Sequence, residues 1–279
     1  MTAVFLESRR LLHVIGADAE SFLQNLITTD LSALGTDDAK PGALLTPQGK
    51  ILFDFIIWRD GSGFVLETDA EQQESLLKRL TMYRLRAAVE LSVDEVEGVT
   101  VSWDDDASEG REDSRFATAG ARLLRRIGQH GADAEALYEA LRIECGVALS
   151  GADFALSDAF PHDVLMDFNG GLSFRKGCYV GQEVVSRMQH RGTARRRVVI
   201  VSGENALPVA GTEISAGSKP IGTLGSVVGN HGLAIVRIDR AGEAMAAETP
   251  ILVGDVKASL ALPAWSGLAF PASADEATA

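Results

Sequence analysis

Apolar and polar positions along the chain change period several times, and each change marks an element. Leu11 to Ile15 is a short apolar run that predicts a strand. Asp18 then reads as the N-cap of a helix whose apolar face is Phe22, Leu23, Leu26 and Ile27. Ala43 to Thr46 and Ile51 to Trp58 predict strands, and Asp60-Gly61-Ser62-Gly63 predicts a hairpin turn into Phe64 to Glu67. Thr68 and Glu71 have capping-box spacing before a helix carrying Leu76, Leu77, Leu80 and Tyr83. Further strands are expected around Ala87 to Val93, Val99 to Trp103 and Ala121 to Ile127. A helix from Asp133 to Cys145 is stopped by Gly146 at C′.

The pattern shifts after Arg195. Short β segments alternate with turns, and nine glycines fall between Gly203 and Gly254, which suits a small barrel or sandwich. Helices threaded among strands in the first two-thirds, followed by β structure, argue an α+β class. The expected division is an α+β region over 1–194, a β-barrel over 195–265 and a disordered tail over 266–279.

Length and charge narrow the picture. With 279 residues, the chain exceeds one ordinary core and predicts two or three domains. The formal net charge of -13 argues against a broad nucleic-acid surface and against anionic membranes, so neither is expected as a partner. Two cysteines, Cys145 and Cys178, make no disulfide framework, and no secretory signal is apparent, so a cytoplasmic protein is expected. Nine acidic residues lie between Asp94 and Asp113, including Asp104-Asp105-Asp106. They lack the spacing of a calcium loop and read as a solvated connection; five scattered histidines lack zinc spacing, and no metal is expected.

The densest chemistry lies in Lys176-Gly177-Cys178-Tyr179-Val180-Gly181-Gln182-Glu183. A thiol beside Arg175 and Lys176 can ionise more readily, and flanking glycines admit a close backbone approach. Cys145, next to Gly146 on the apolar side of a helix, reads instead as core. Gln182 and Glu183 either open a helix, with Glu183 complementing its dipole, or offer hydrogen bonds to a heterocycle edge; both readings stay open. Arg187 begins a run of five arginines ending at Arg197, which suits an anionic ligand tail or, residue by residue, neutralisation of acidic neighbours.

The octapeptide resembles the K-G-C-Y-x-G-Q-E signature of the YgfZ family, folate-binding proteins linked to iron–sulfur enzyme maturation. Other segments are similar to the family in order: Gly16-Ala17-Asp18 with Phe22 to Asp30, Leu45 to Lys50, Leu141 to Gly146, and Pro220 to Ser226. The family is related to the T-protein of the glycine cleavage system, an aminomethyltransferase. That resemblance implies two interleaved ferredoxin-like modules, the second over roughly 40–120, and a C-terminal β-barrel around a central folate channel. It also implies tetrahydrofolate or a one-carbon derivative as cofactor, and iron–sulfur client enzymes or assembly factors as partners. Effects on tRNA modification would be indirect, through iron–sulfur tRNA-modifying enzymes.

Carried over by position, Cys178 is the functional thiol, and Glu144 matches the glutamate that contacts the pterin. Lys176, Gly177, Tyr179, Gly181, Gln182 and Glu183 match the signature, and Asp54 faces the channel. One departure matters. Where the aminomethyltransferases carry an acidic pair, this chain has Phe53-Asp54. Aminomethyl transfer needs a carboxylate to orient the amine, so the resemblance favours folate binding with the parent chemistry lost. The alternative is a folate-dependent aminomethyltransferase or demethylase acting on a small amine.

Overall fold

The structure is a computed structural model that describes residues 2–61, 63–104 and 109–272. Ser62 of the expected hairpin turn, Asp105 and Asp106 of the acidic run, and 273–279 of the expected tail lie outside the described residues. The chain divides into two units, one of residues 1–138 with 169–182 and another of 139–168 with 183–279.

In the first unit the strands are β1 (Thr2–Leu6), β2 (Arg9–Ile15), β3 (Asp38–Leu45), β4 (Ile51–Asp60), β5 (Gly63–Asp69), β6 (Glu90–Val93), β7 (Val99–Trp103), β8 (Arg111–Asp113) and β9 (Leu124–Ile127). Its helices are α1 (Ala19–Gln24), α2 (Ala70–Arg84) and α3 (Ser114–Thr118). The nine strands form one sheet in the order β1-β7-β9-β8-β3-β4-β5-β2-β6. The sheet has two parts, joined where β3 pairs parallel with β8. Strand alternation sorts the side chains of β4: Phe53, Phe55 and Ile57 enter a core with Leu23, Leu76 and Leu80. Ile56 and Trp58 enter another with Leu11, Val65 and Val99.

The second unit holds most of α4 (Glu135–Cys145) and of α5 (Gln182–His190), then β10 (Arg196–Gly203), β11 (Glu213–Ala216), β12 (Lys219–Val228), β13 (His231–Arg237), α6 (Ile238–Ala246), β14 (Ile251–Val253) and β15 (Val256–Ala261). The six strands close into a barrel in the order β10-β13-β12-β11-β14-β15. Val199, Val201, Leu224, Ala234 and Val236 belong to its core. The α+β class with a terminal barrel is therefore the observed one. Among the described residues no helix is long and apolar enough to cross a membrane.

Local chemistry corrects several boundaries. Asp18 sits at the N-cap position of α1, but its carboxylate makes no cap bond and instead accepts from Ala88 N at 2.8 Å. The cap of α2 is Asp69, which accepts from Glu71 N, while Thr68 Oγ1 donates to Asp54 O. The strand expected from Ala87 begins only at Glu90, because the chain leaves α2 through Leu85 at φ +41°. The helix α6 interrupts what the sequence reads as unbroken β structure. Its buried positions Ile238, Ala241 and Ala244 do recur every third residue, but they are mostly too small to announce a helix.

A buried ionic lattice ties the halves of the sheet together. Glu67 Oε1 accepts from Arg9 Nε at 2.8 Å and from an Arg125 terminal nitrogen at 2.5 Å. Arg125 Nε also reaches Asp113 Oδ2 at 2.8 Å, and Arg115 grips the same carboxylate at 3.0 and 2.7 Å. Burial alone would raise the pKa of Glu67, yet Arg125 and Arg9 outweigh it and hold the group below the ordinary carboxylate range. Arg125→Ala leaves Glu67 and Asp113 facing each other's surroundings without their shared cation. Removal of one buried partner costs about 3–5 kcal/mol. Urea unfolding should show a loss of that size, against little change for Arg126→Ala on the exposed side of the same strand.

Candidate functional site

The octapeptide begins in a loop whose neighbours alternate between interior and solvent. Lys176 and Tyr179 are buried, whereas Arg175, Gly177 and Cys178 are exposed. The Lys176 ammonium donates to Ile27 O at 2.8 Å and Thr29 O at 2.7 Å, and lies 5.4 Å from the centre of the Tyr179 ring. Tyr179 Oη donates to Ser173 O at 3.1 Å, and Ser173 Oγ accepts from the Arg175 and Lys176 amides. Burial pushes the Lys176 ammonium down to about 8, against an opposing pull from Asp30. Burial likewise pushes the Tyr179 phenol up.

The glycines divide in role. Gly181 holds φ +79°, and a Cβ there would stand 2.5 Å from Thr46 O, so the close approach it permits is to the chain itself. Gly177 has open space around it. Thus the segments Leu45 to Lys50 and Lys176 to Gly181, far apart in sequence, meet at Gly181. Val180 packs on the core that holds Phe53 and Leu23.

Gln182 opens α5, its amide donating to Tyr179 O at 3.3 Å. Glu183 and Arg187 are exposed and pair with each other at 2.7 Å, one helical turn apart. Of the other arginines in the run, Arg196 reaches Asp158 at 3.3 Å, and buried Arg197 grips Asp167 at 2.9 Å and donates to His162 O. Three of the five therefore have carboxylate partners within the chain. Asp54 is held by Gln72, whose Nε2 donates to Oδ1 at 3.1 Å. Phe53 beside it is core.

Glu144 lies in the second unit, on a face of α4 that looks onto the barrel. It is exposed and borders a cavity of about 480 Å³ with Ala140, Ile143, Ile200, Ser202, Val228 and His231. Ser202 Oγ and His231 Nδ1 stand 3.3 Å apart on paired strands. The cavity thus combines apolar walls with a carboxylate, a hydroxyl and an imidazole. Cys145 next door is buried, its thiol pushed up to about 11 by burial and by the Glu144 charge. This is the core role expected of it.

Sequence reasoning missed Arg142. It is fully buried, donating to Asp153 and Ser226 Oγ at 2.5 Å each, to Glu139 Oε2 at 2.6 Å and to Val147 O at 2.8 Å. A Cβ on Gly225 would lie 2.5 Å from Asp153 Oδ1. The Leu141 to Gly146 and Pro220 to Ser226 segments meet where Arg142 bonds Ser226.

Residues 195–268 match the family described as CAF17, C-terminal beta-barrel domain. A crystal structure of glycine cleavage system aminomethyltransferase T from Bartonella henselae superposes with a TM-score of 0.67, covering 94% of this chain and 85% of that one at 17% identity. The protein is thus of the aminomethyltransferase T fold with a CAF17-type barrel. Proteins named as mitochondrial iron–sulfur cluster assembly factor IBA57 are similar over most of their length. The Pyricularia oryzae homolog is 31% identical over 84% of this chain and 71% of its own. The human protein is 31% identical over 83% and 76%, and the mouse protein 31% over 85% and 77%. This chain belongs to the IBA57 family.

Those names overturn the expectation of a cytoplasmic protein, since each places its bearer in mitochondria. Cysteine usage speaks only to reducing conditions, which more than one compartment supplies.

The lowered pKa of Lys176 has a measurable consequence. Between pH 8 and the ordinary value of 10.5 the unfolded chain binds a proton that the folded chain has released. Stability attributable to this group therefore rises with pH across that window. The difference in urea midpoint between wild type and Lys176→Met should change in that direction from pH 8 to 10.

Proposed function

We propose that the protein supports assembly or repair of iron–sulfur clusters in client enzymes, in the manner of the YgfZ proteins its octapeptide resembles. Cys178 is its functional thiol. The observation that carries this reading is the exposure of Cys178 between two buried anchors, in a chain whose other cysteine is buried. Clusters are held by cysteine thiolates, commonly four. A single exposed thiol suits transient transfer or a shared ligand set completed by a partner, rather than stable storage on one chain. The names of the IBA57 relatives support the same role.

Tetrahydrofolate or a one-carbon derivative is the proposed cofactor. Glu144 borders a cavity whose volume is ordinary for a small-molecule site, and its carboxylate can accept two N–H bonds from an amino-pyrimidinone edge. Glu183 and Arg187, in the same unit as Glu144, are proposed as further polar contacts; in the other unit, Asp54 and Gln182 are the polar positions the resemblance assigns, and Lys176, Gly177, Tyr179 and Gly181 shape the loop. Effects on tRNA modification would follow from iron–sulfur clients. An aminomethyltransferase reading is less well supported, because Phe53 is buried among Phe55 and Ile57 where a reacting carboxylate would be needed.

Three measurements test the proposal. In a strain lacking its YgfZ-type protein, wild type should restore client iron–sulfur activity and Cys178→Ser should not; equal restoration by both would remove the thiol from the mechanism. Reduced-folate titration should weaken about 10- to 100-fold in Glu144→Ala, the loss of charged hydrogen bonds worth roughly 1.5–3 kcal/mol. Formaldehyde release or methylene-tetrahydrofolate formation at ordinary enzymatic rates would favour the transferase instead.

A further inference from the structure

We infer that Lys176 is a positioning residue for Cys178: it fastens the loop to the Ile27–Thr29 backbone and so sets how the thiol is presented. The inference rests on the reading of Cys178 as the functional thiol. Sequence proximity suggests a different role, in which the Lys176 charge favours the thiolate. The geometry points the ammonium elsewhere, onto two main-chain carbonyls at 2.8 and 2.7 Å.

Those carbonyls belong to a segment that is itself immobilised. Thr28 Oγ1 donates to Gly171 O at 2.6 Å and accepts from Ala43 N at 2.9 Å. Thr29 Oγ1 donates to Pro41 O at 2.6 Å, and the Ser173 amide donates to Thr28 O at 2.9 Å. The base of the loop is thus bound to β3, and Lys176 hangs its first half on that base. Tyr179 closes the second half by its bond to Ser173 O. Between the two buried anchors only Gly177 and Cys178 remain, and both face solvent. Two residues separate the anchors, so the thiol has little freedom to turn inward while both hold.

Lys176→Met keeps the length of the side chain but removes the donor from two buried acceptors. Ser173→Ala weakens the same loop with no change of charge, since Ser173 Oγ serves the amides of residues 175 and 176. Both variants are compared with wild type on the purified protein, without folate or client. Amide hydrogen exchange over 173–180 and the pH profile of iodoacetamide alkylation at Cys178 are read by peptide mass. Both variants should raise exchange in that segment by at least about tenfold and change the high-pH plateau rate, with the midpoint pH unmoved. An upward shift of the midpoint in Lys176→Met, with exchange and plateau unchanged, would assign Lys176 an electrostatic role and overturn the inference. So would wild-type exchange and plateau in Ser173→Ala, whatever Lys176→Met does. Neither failure touches the complementation result, which tests the thiol's function separately.

Discussion

An ammonium removed from water must find acceptors, and the Lys176 ammonium finds them in the carbonyls of Ile27 and Thr29. Desolvation disfavours this charge strongly enough to lower the pKa to about 8, and the hydrogen bonds are what make its burial tolerable. The requirement works in both directions. The loop is held because the lysine needs the carbonyls, and those carbonyls, buried beside β3, need a donor. Cys178 is exposed as a geometric result of that exchange.

The same demand for partners explains the buried arginines. Arg125 bridges Glu67 and Asp113, Arg142 bridges Asp153 and Ser226, and Arg197 bridges Asp167 and the His162 carbonyl. A planar guanidinium presents several donors in fixed directions, so one side chain can join three elements where a lysine would act as a point charge. Such lattices add little net stability over an apolar core, but they penalise misregistered arrangements because any displaced partner leaves a charge stranded. In a chain of net charge -13 they also use up basic residues that composition alone would offer to a ligand.

Period-based reasoning served best where apolar residues are large and the element is long. The β4 strand and the helix ending at Gly146 were legible because Ile51 to Trp58 and Leu137 to Cys145 carry bulky side chains at regular spacing, and Gly146 takes φ +69° as a C′ residue should. It failed where partnership is tertiary. Asp18 and Thr68 both read as side-chain caps in sequence; neither makes the cap bond, because Ala88 and Asp54, supplied by distant segments, engage them instead. The strands β1 and β8 pair with partners far along the chain, and α6 hides behind alanines. At the candidate site the thiol was legible, while the direction of its lysine neighbour was not, because adjacency in sequence does not say which way a side chain points.

Phe53 and Asp54 show how adjacent positions of one strand serve different surroundings. On a strand, neighbours point to opposite faces, so the residue type at one of two adjacent positions leaves the other face intact. Phe53 joins the core with Phe55 and Ile57, where a charge would have needed a partner. Asp54 stays polar, tied to Gln72 and accepting Thr68 through its carbonyl. An acid at position 53 would place an ionisable group in that apolar core, whereas phenylalanine adds packing there. Conversely, the Cys178 loop keeps several buried polar groups that a purely structural turn would not need. Their hydrogen bonds fix where one sulfur atom sits, and they offset the desolvation of the groups that make them.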